Sequence, residues 1–140
     1  MRRAAAGLAA DKMRQRPRAA DWSIKEVMAH LLKVERDLFL PRLSQLAVRD
    51  RVSFAPFDAD AWARERDHRE GDFEEEWRLF KAARAETVAL LRKLPPGAEG
   101  RITVSGYFGP VTFLEYATHV VDHDIEHLAQ IADTRAAIGA

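Results

Sequence analysis

The stretch VVDHDIEHLAQI, residues 120–131, sets His123 and His127 four apart in a run that is otherwise helical and half apolar. Side chains so spaced lie one turn apart on the same helix face, so two imidazoles can converge on one metal ion. H-x-x-x-H also arises by chance in helices, and the spacing alone leaves both readings open. A helix advances about 100° per residue, which places His127 about 40° to one side of His123 and His119 about 40° to the other. Phe113, Tyr116, Val120 and Ile131 lie on the His127 side, and Glu115, Asp122 and Glu126 on the His119 side. His127 therefore belongs to the apolar arc, His123 to its edge, and His119 faces towards water.

A third ligand has to come from another helix. His30 is the candidate, beside a buried stripe, three residues after Val27 and four before Val34. His68 sits in the polar run RERDHREGD and reads as a solvated loop residue. Two further residues interrupt apolar stripes. Arg84 stands between Phe80 and Thr87, where a hydrophobe is expected. On a buried side it needs an acidic partner or an anionic ligand, unless it snorkels to the bundle surface. Asp124 falls in the apolar arc of the last helix, where it can pair with Arg84, orient a ligand or face a thin part of the bundle.

The composition narrows the chemistry. The chain has no cysteine, which excludes disulfides, thiolate nucleophiles and Cys-type zinc sites, so any metal must be held by His, Asp or Glu. Lys plus Arg and Asp plus Glu both count 22, and this neutral balance removes the usual ground for expecting nucleic-acid binding. No apolar run approaches the roughly 18 residues of a membrane span, so a soluble cytoplasmic protein is the expectation.

The elements that must position these residues are mostly helical, and 140 residues form one domain with a real core. Residues 2–14 are Ala-rich and helix-prone, and Pro17 closes them. Ser23 and Glu26 form a capping box, with Trp22 as a possible staple, and open a helix whose stripe is Ile24, Val27, Leu31, Val34 and Leu38. Pro41 should kink that helix before it resumes towards residue 49. A short helical stretch is expected near 58–67. A long helix from about Asp72 carries a seam of Phe73, Trp77, Phe80, Thr87, Leu91 and Leu94. GRITVSGYFGPV, residues 100–111, reads as a loop with a short extended piece. Thr112 and Glu115 then cap a last helix running to about residue 137. Three long amphipathic helices and a weaker fourth predict an all-α four-helix bundle.

WSIKEVMAHL followed by HDIEHLAQI, that is W-S-x-x-E-x-x-x-H and then H-x-x-x-H-x-x-Q-I, resembles the DinB-like superfamily, the DinB/YfiT-like metalloenzymes. The likeness covers most of the chain and includes RLFKAARAETVALLRKLPP, with Arg84 in it. It implies a four-helix bundle with a divalent metal, zinc or nickel foremost, held by His30, His123 and His127, and His119 as a reserve ligand. It also implies a metal-dependent enzyme, a thiol-dependent S-transferase or a hydrolase, with the low-molecular-weight thiol supplied from outside. Arg84 would bind an anionic group, and Asp124 would orient a ligand or move protons. The chain departs from the family at its front, where only about 20 residues precede Asp21 and the first helix is short. That leads us to expect a homodimer with the N-terminal segment at or near the interface.

Other readings of the same residues fare differently. A non-catalytic, stress-related scaffold that binds metal weakly or not at all stays open. An HD-type phosphohydrolase needs a further metal-binding Asp tens of residues after Asp124, where only 16 residues follow. A zinc-peptidase helix needs Glu directly after its first His, and Asp124 stands there.

Overall fold

The computed structural model describes residues 2–105 and 109–139. Its central helix follows from the capping box: the Ser23 hydroxyl accepts from the Glu26 amide while the Glu26 carboxylate accepts from the Ser23 N–H. From there α3 (Ile24–Val34) passes through a π-helical turn (Glu35–Phe39) into α4 (Leu40–Leu46). The expected interruption near Pro41 thus takes the form of a wide turn, with proline in the first turn of α4, where its missing N–H matters least. The extra residue of a π turn shifts the helical phase. Phe39, not Leu38, occupies the buried position that the stripe from Ile24 to Val34 leads to.

The other long helices are α6 (Phe73–Arg92) and α7 (Phe113–Ala137), capped by Asp72 and Thr112. Along α6 the buried residues are Phe80, Ala83 and Thr87, and Leu90 and Leu94 continue the same side. Leu91 lies on the outer face, 38 % exposed. One apolar cluster joins the starts of α3 and α6 to the end of α7 through Ile24, Val27, Met28, Phe80 and Ile131. A second joins α4 to the start of α7 through Phe39, Leu43, Leu46, Phe113 and Tyr116. The α3–α4 helix and α6 therefore run in the same direction, and α7 runs against both.

Two short helices, α1 (Arg2–Ala5) and α2 (Ala10–Arg14), stand where the weak first helix is expected, broken at Gly7 with φ +79°. Ala5 is buried, and the Arg135 guanidinium donates to the Ala4 carbonyl at 2.9 Å. This segment covers its own end of the core.

Running α4 and α6 in parallel requires a crossover, and that crossover together with the link from α6 to α7 holds structure that an all-α reading omits. Strand β1 (Val52–Phe54) pairs in parallel with β2 (Ile102–Ser105), and β2 pairs antiparallel with β3 (Gly109–Thr112). The short extended piece expected within 100–111 is β2, and with β3 it belongs to a three-stranded sheet; residues 106–108 lie outside the described residues. The Thr103 hydroxyl donates to the Val52 carbonyl at 2.8 Å, and Val52, Phe54 and Val111 pack on the second apolar cluster. Strand β1 joins the sheet by pairing across about 50 residues of sequence, which local periodicity does not reveal.

Helix α5 (Ala59–Arg64) and the loop after it are pinned to the bundle by the Lys25 ammonium, itself 1 % exposed. It donates to Glu76 Oε2 at 2.6 Å and to the His68 carbonyl at 3.2 Å. Gly71 makes room, since a Cβ there would stand 2.8 Å from Lys25 Nζ. His68 is consequently buried, not solvated: its ring stacks on Trp62 at 3.8 Å, and Nε2–H donates to the Trp62 carbonyl at 2.9 Å. Removing one partner of a buried ion pair leaves the other charge uncompensated. Lys25→Ala should therefore cost about 3 kcal/mol or more in urea unfolding. The double change Lys25→Met with Glu76→Leu should recover most of that loss.

Candidate metal centre

His30 comes from the middle of α3, and His123 and His127 from successive turns of α7. The structure brings these three together. His123 Nε2 lies 3.2 Å from His30 Nε2 and 3.2 Å from His127 Nε2, and one nitrogen from each ring falls within 4.8 Å of the others. Nitrogens bound to one tetrahedral zinc at its usual bond length stand roughly 3.3 Å apart. The two short edges of the triangle thus have the length that coordination needs.

The protonation state fits a ligand role. His127 Nδ1 lies 2.7 Å from Gln130 Oε1, which can only accept. Nδ1–H therefore donates to Gln130, and that bond turns Nε2 towards the triangle. His30 is 4 % exposed, edge-on to Trp22 and Trp62 at 5.0 and 5.4 Å between centroids. Burial, reinforced by His127 and His123, pushes its pKa down to about 3. Burial does the same to His123, helped by His127, His119 and Arg84, again to about 3. Both rings stay neutral near neutral pH, as metal ligation requires. Their Nδ1 atoms are buried and meet no protein acceptor among the described residues.

Behind the triangle lies an ionic network. Arg84 on α6 donates from Nη2 to Glu35 at 2.8 Å and to Asp124 at 3.1 Å, and from Nη1 to the other oxygen of Asp124. The Thr87 hydroxyl donates to the remaining oxygen of Glu35. Burial works against the charge of Arg84, but the hydrogen bonds to Asp124 and Glu35 outweigh it and raise its pKa above the ordinary arginine value. The acidic partner that Arg84 requires is thus present twice over. Glu35, fully buried, is a residue the sequence reading missed. Its signal is a carboxylate one turn after Leu31 on a buried stripe.

His119 is half-buried and outside the converging trio, its ring 6.2 Å from that of His123. It lines a cavity of about 220 Å³ together with His30, His123, Phe39 and Phe57. A wider open groove of about 920 Å³ reaches His127 from the other side, past Trp22 and Gln130. The smaller cavity has two of the three imidazoles in its wall and is the better candidate for a reaction space.

Two measurements test this geometry. In the unfolded chain His30 and His123 take up protons below their ordinary pKa near 6.5, whereas the folded rings resist until about 3. Between these limits the unfolded state binds more protons, so stability falls as pH falls. The melting temperature of metal-free protein should drop between about pH 7 and pH 5, and His30→Gln should make that drop shallower. Gln130→Ala frees the His127 tautomer and should weaken zinc or nickel affinity by about 10- to 100-fold in a chelator competition, with little change in melting temperature.

Known proteins give the geometry its context. No curated protein matches the chain. The solved structure of YfiT from Bacillus subtilis, described as a probable metal-dependent hydrolase with an unusual four-helix bundle topology, is similar over 99 % of this chain and 79 % of its own. The TM-score is 0.84 at 21 % sequence identity, which establishes the likeness of fold. The model of the DinB superfamily matches residues 1–131. That match spans His30, His123 and His127, and the chain belongs to the DinB superfamily.

Proposed function

We propose that this protein is a divalent-metal-dependent enzyme whose ion, zinc or nickel, is held by His30, His123 and His127. The observation that carries this is the convergence of three Nε2 atoms, with 3.2 Å edges, from two helices. A three-histidine site leaves coordination positions open, and the bound ion would supply Lewis acidity that lowers the pKa of a water or an external thiol. Hydrolysis is the first reading, because the similar YfiT is described as a probable hydrolase. Thiol-dependent S-transfer is the second, and it rests on the family resemblance and on the lack of any cysteine in the chain. It suits a cytoplasmic setting, where small thiols stay reduced.

In this reading Asp124 and Arg84 act from behind the ligands. Asp124 follows His123 directly, and its bonds to Arg84 fix the turn of α7 that presents that ring. A substrate anion would have to displace Glu35 or Asp124 to reach Arg84, so positioning is the role their geometry favours. His119, which burial holds below the usual histidine pKa against the pull of Glu126 and Asp122, is placed in the cavity wall to accept a proton. The homodimer expected from the sequence remains part of this proposal, although α1 and α2 already cover the core end it was meant to shield. Sedimentation showing a monomer at micromolar concentration would remove it.

One observation favours the non-catalytic scaffold instead. Glu35 and Asp124, the carboxylates behind the trio, are both bound to Arg84, and among the described residues only His127 of the three has an orienting partner. Elemental analysis of untagged protein decides between the readings. The parent should carry about one divalent ion per chain and His127→Ala almost none. The loaded parent should then hydrolyse simple esters or transfer a thiol. Failure to retain zinc or nickel after incubation and dialysis would leave the scaffold.

A further inference from the structure

The cavity beside His30 and His123 is mostly apolar, lined by Val34, Leu38, Phe39, Phe57 and Ala59, but one end is not. Arg42, from α4, reaches that end together with Tyr116 from α7. Nη1 of Arg42 donates to the Tyr116 hydroxyl at 3.2 Å, Nη2 donates to the Ala55 carbonyl at 2.6 Å, and the guanidinium carbon sits 5.2 Å from the Phe54 ring centroid. The side chain is half-buried and held from three sides, yet no carboxylate pairs with it among the described residues. Among the described residues, no Asp or Glu lines the cavity.

Arg84 makes the contrast plain, since it has two carboxylates for one guanidinium. A fixed arginine whose bonds go only to neutral oxygens keeps its full charge available to a ligand. The Tyr116 hydroxyl accepts from Arg42, and its own proton has no protein acceptor among the described residues. Burial raises the phenol's pKa above its ordinary value, against the influence of Arg42, so it remains a donor. Arg42 and Tyr116 thus offer two donors at the end of an apolar pocket whose other wall is the histidine cluster.

We propose that this pocket binds a small carboxylate with a compact apolar body, its anionic group on Arg42 and Tyr116 and its remainder directed towards His30 and His123. The inference rests on the proposed function only in calling that carboxylate a substrate. The pocket's charge and shape stand without it. At about 220 Å³ the space suits a molecule of one ring or a short chain, and excludes a peptide or a nucleotide. The apolar wall supplies burial, while the paired donors discriminate an anion from its neutral isostere.

Benzoate and its neutral analogue benzamide are the probes, titrated by calorimetry into metal-free and zinc-loaded protein. Zinc content is measured separately for every variant. Metal-free parent should bind benzoate more tightly than benzamide by about tenfold or more. Arg42→Gln should abolish that preference while retaining its zinc. Tyr116→Phe keeps the ring, so it should fold normally and lose only part of the preference. Equal binding of the two probes by the metal-free parent would overturn the proposal. So would benzoate binding that appears only with zinc and survives Arg42→Gln, because the ion alone would then be the anion's partner. If zinc binds and benzoate shows no preference, the pocket inference fails and the metal reading stands. If benzoate is preferred and no zinc is retained, the pocket inference holds and the metal reading fails.

Discussion

The carboxylate of Glu35 has no contact with solvent, and its position dictates much of the rest. A dry carboxylate is tolerable only when its oxygens are bonded and its charge is paired. Arg84 and Thr87 of α6 meet that demand, and Arg84 also bonds Asp124 of α7. Three helices are thereby fixed at one level. A sliding of any one by a single turn would leave a buried charge unpaired, at a cost of about 3–5 kcal/mol. Apolar packing alone would tolerate such a shift more easily, because the clusters above and below are built of interchangeable aliphatic and aromatic contacts. The histidines lie at this pinned level: His30 precedes Glu35 by five residues, and His123 is the neighbour of Asp124.

The π turn belongs to the same constraint. A regular helix from Ile24 would carry its buried phase through Leu38 to the residues beyond Pro41. The wide turn at Glu35–Phe39 inserts one residue, so that Glu35 points at α6 while Phe39 points at α7. Phe39 then meets the His123 ring edge-on at 5.2 Å, and Leu38 moves to the cavity wall. Wide turns of this kind strain the hydrogen-bond ladder and recur at functional sites. Here one turn serves the ionic network, the support of a candidate ligand and the shape of the pocket.

How much of this was legible in the sequence depended on the range of the interaction. Capping boxes at Ser23 and Thr112, the stripes of α3 and α7, and the inward side of His127 are local patterns, and all were readable. His30 was readable because it sat beside a stripe of known phase. The burial of His68 was not, because a distant ammonium, that of Lys25, pins its loop. Glu35 and the pairing of β1 with β2 escaped for a related reason. They acquire their place from partners about 50 positions away, while β2 and β3 pair locally around the extended piece expected in 100–111. Leu91, expected on the seam, lies outside it because a helix turning every 3.6 residues brings Leu90, with Leu94, onto the buried side in its place.

The two arginines show how one bundle can separate structure from recognition with the same side chain. Arg84 has two carboxylates within hydrogen-bond distance, which more than match its charge, so it contributes order and not attraction for an anion. Arg42, anchored by a phenol and a carbonyl and paired with no carboxylate among the described residues, keeps its field at the end of the cavity. Neutral imidazoles at the other wall add no competing charge of their own. Any ion they hold adds positive charge on the same side. The Arg42 end of the pocket therefore favours an anion with or without the metal, and an ion held at the histidine end would add to that attraction.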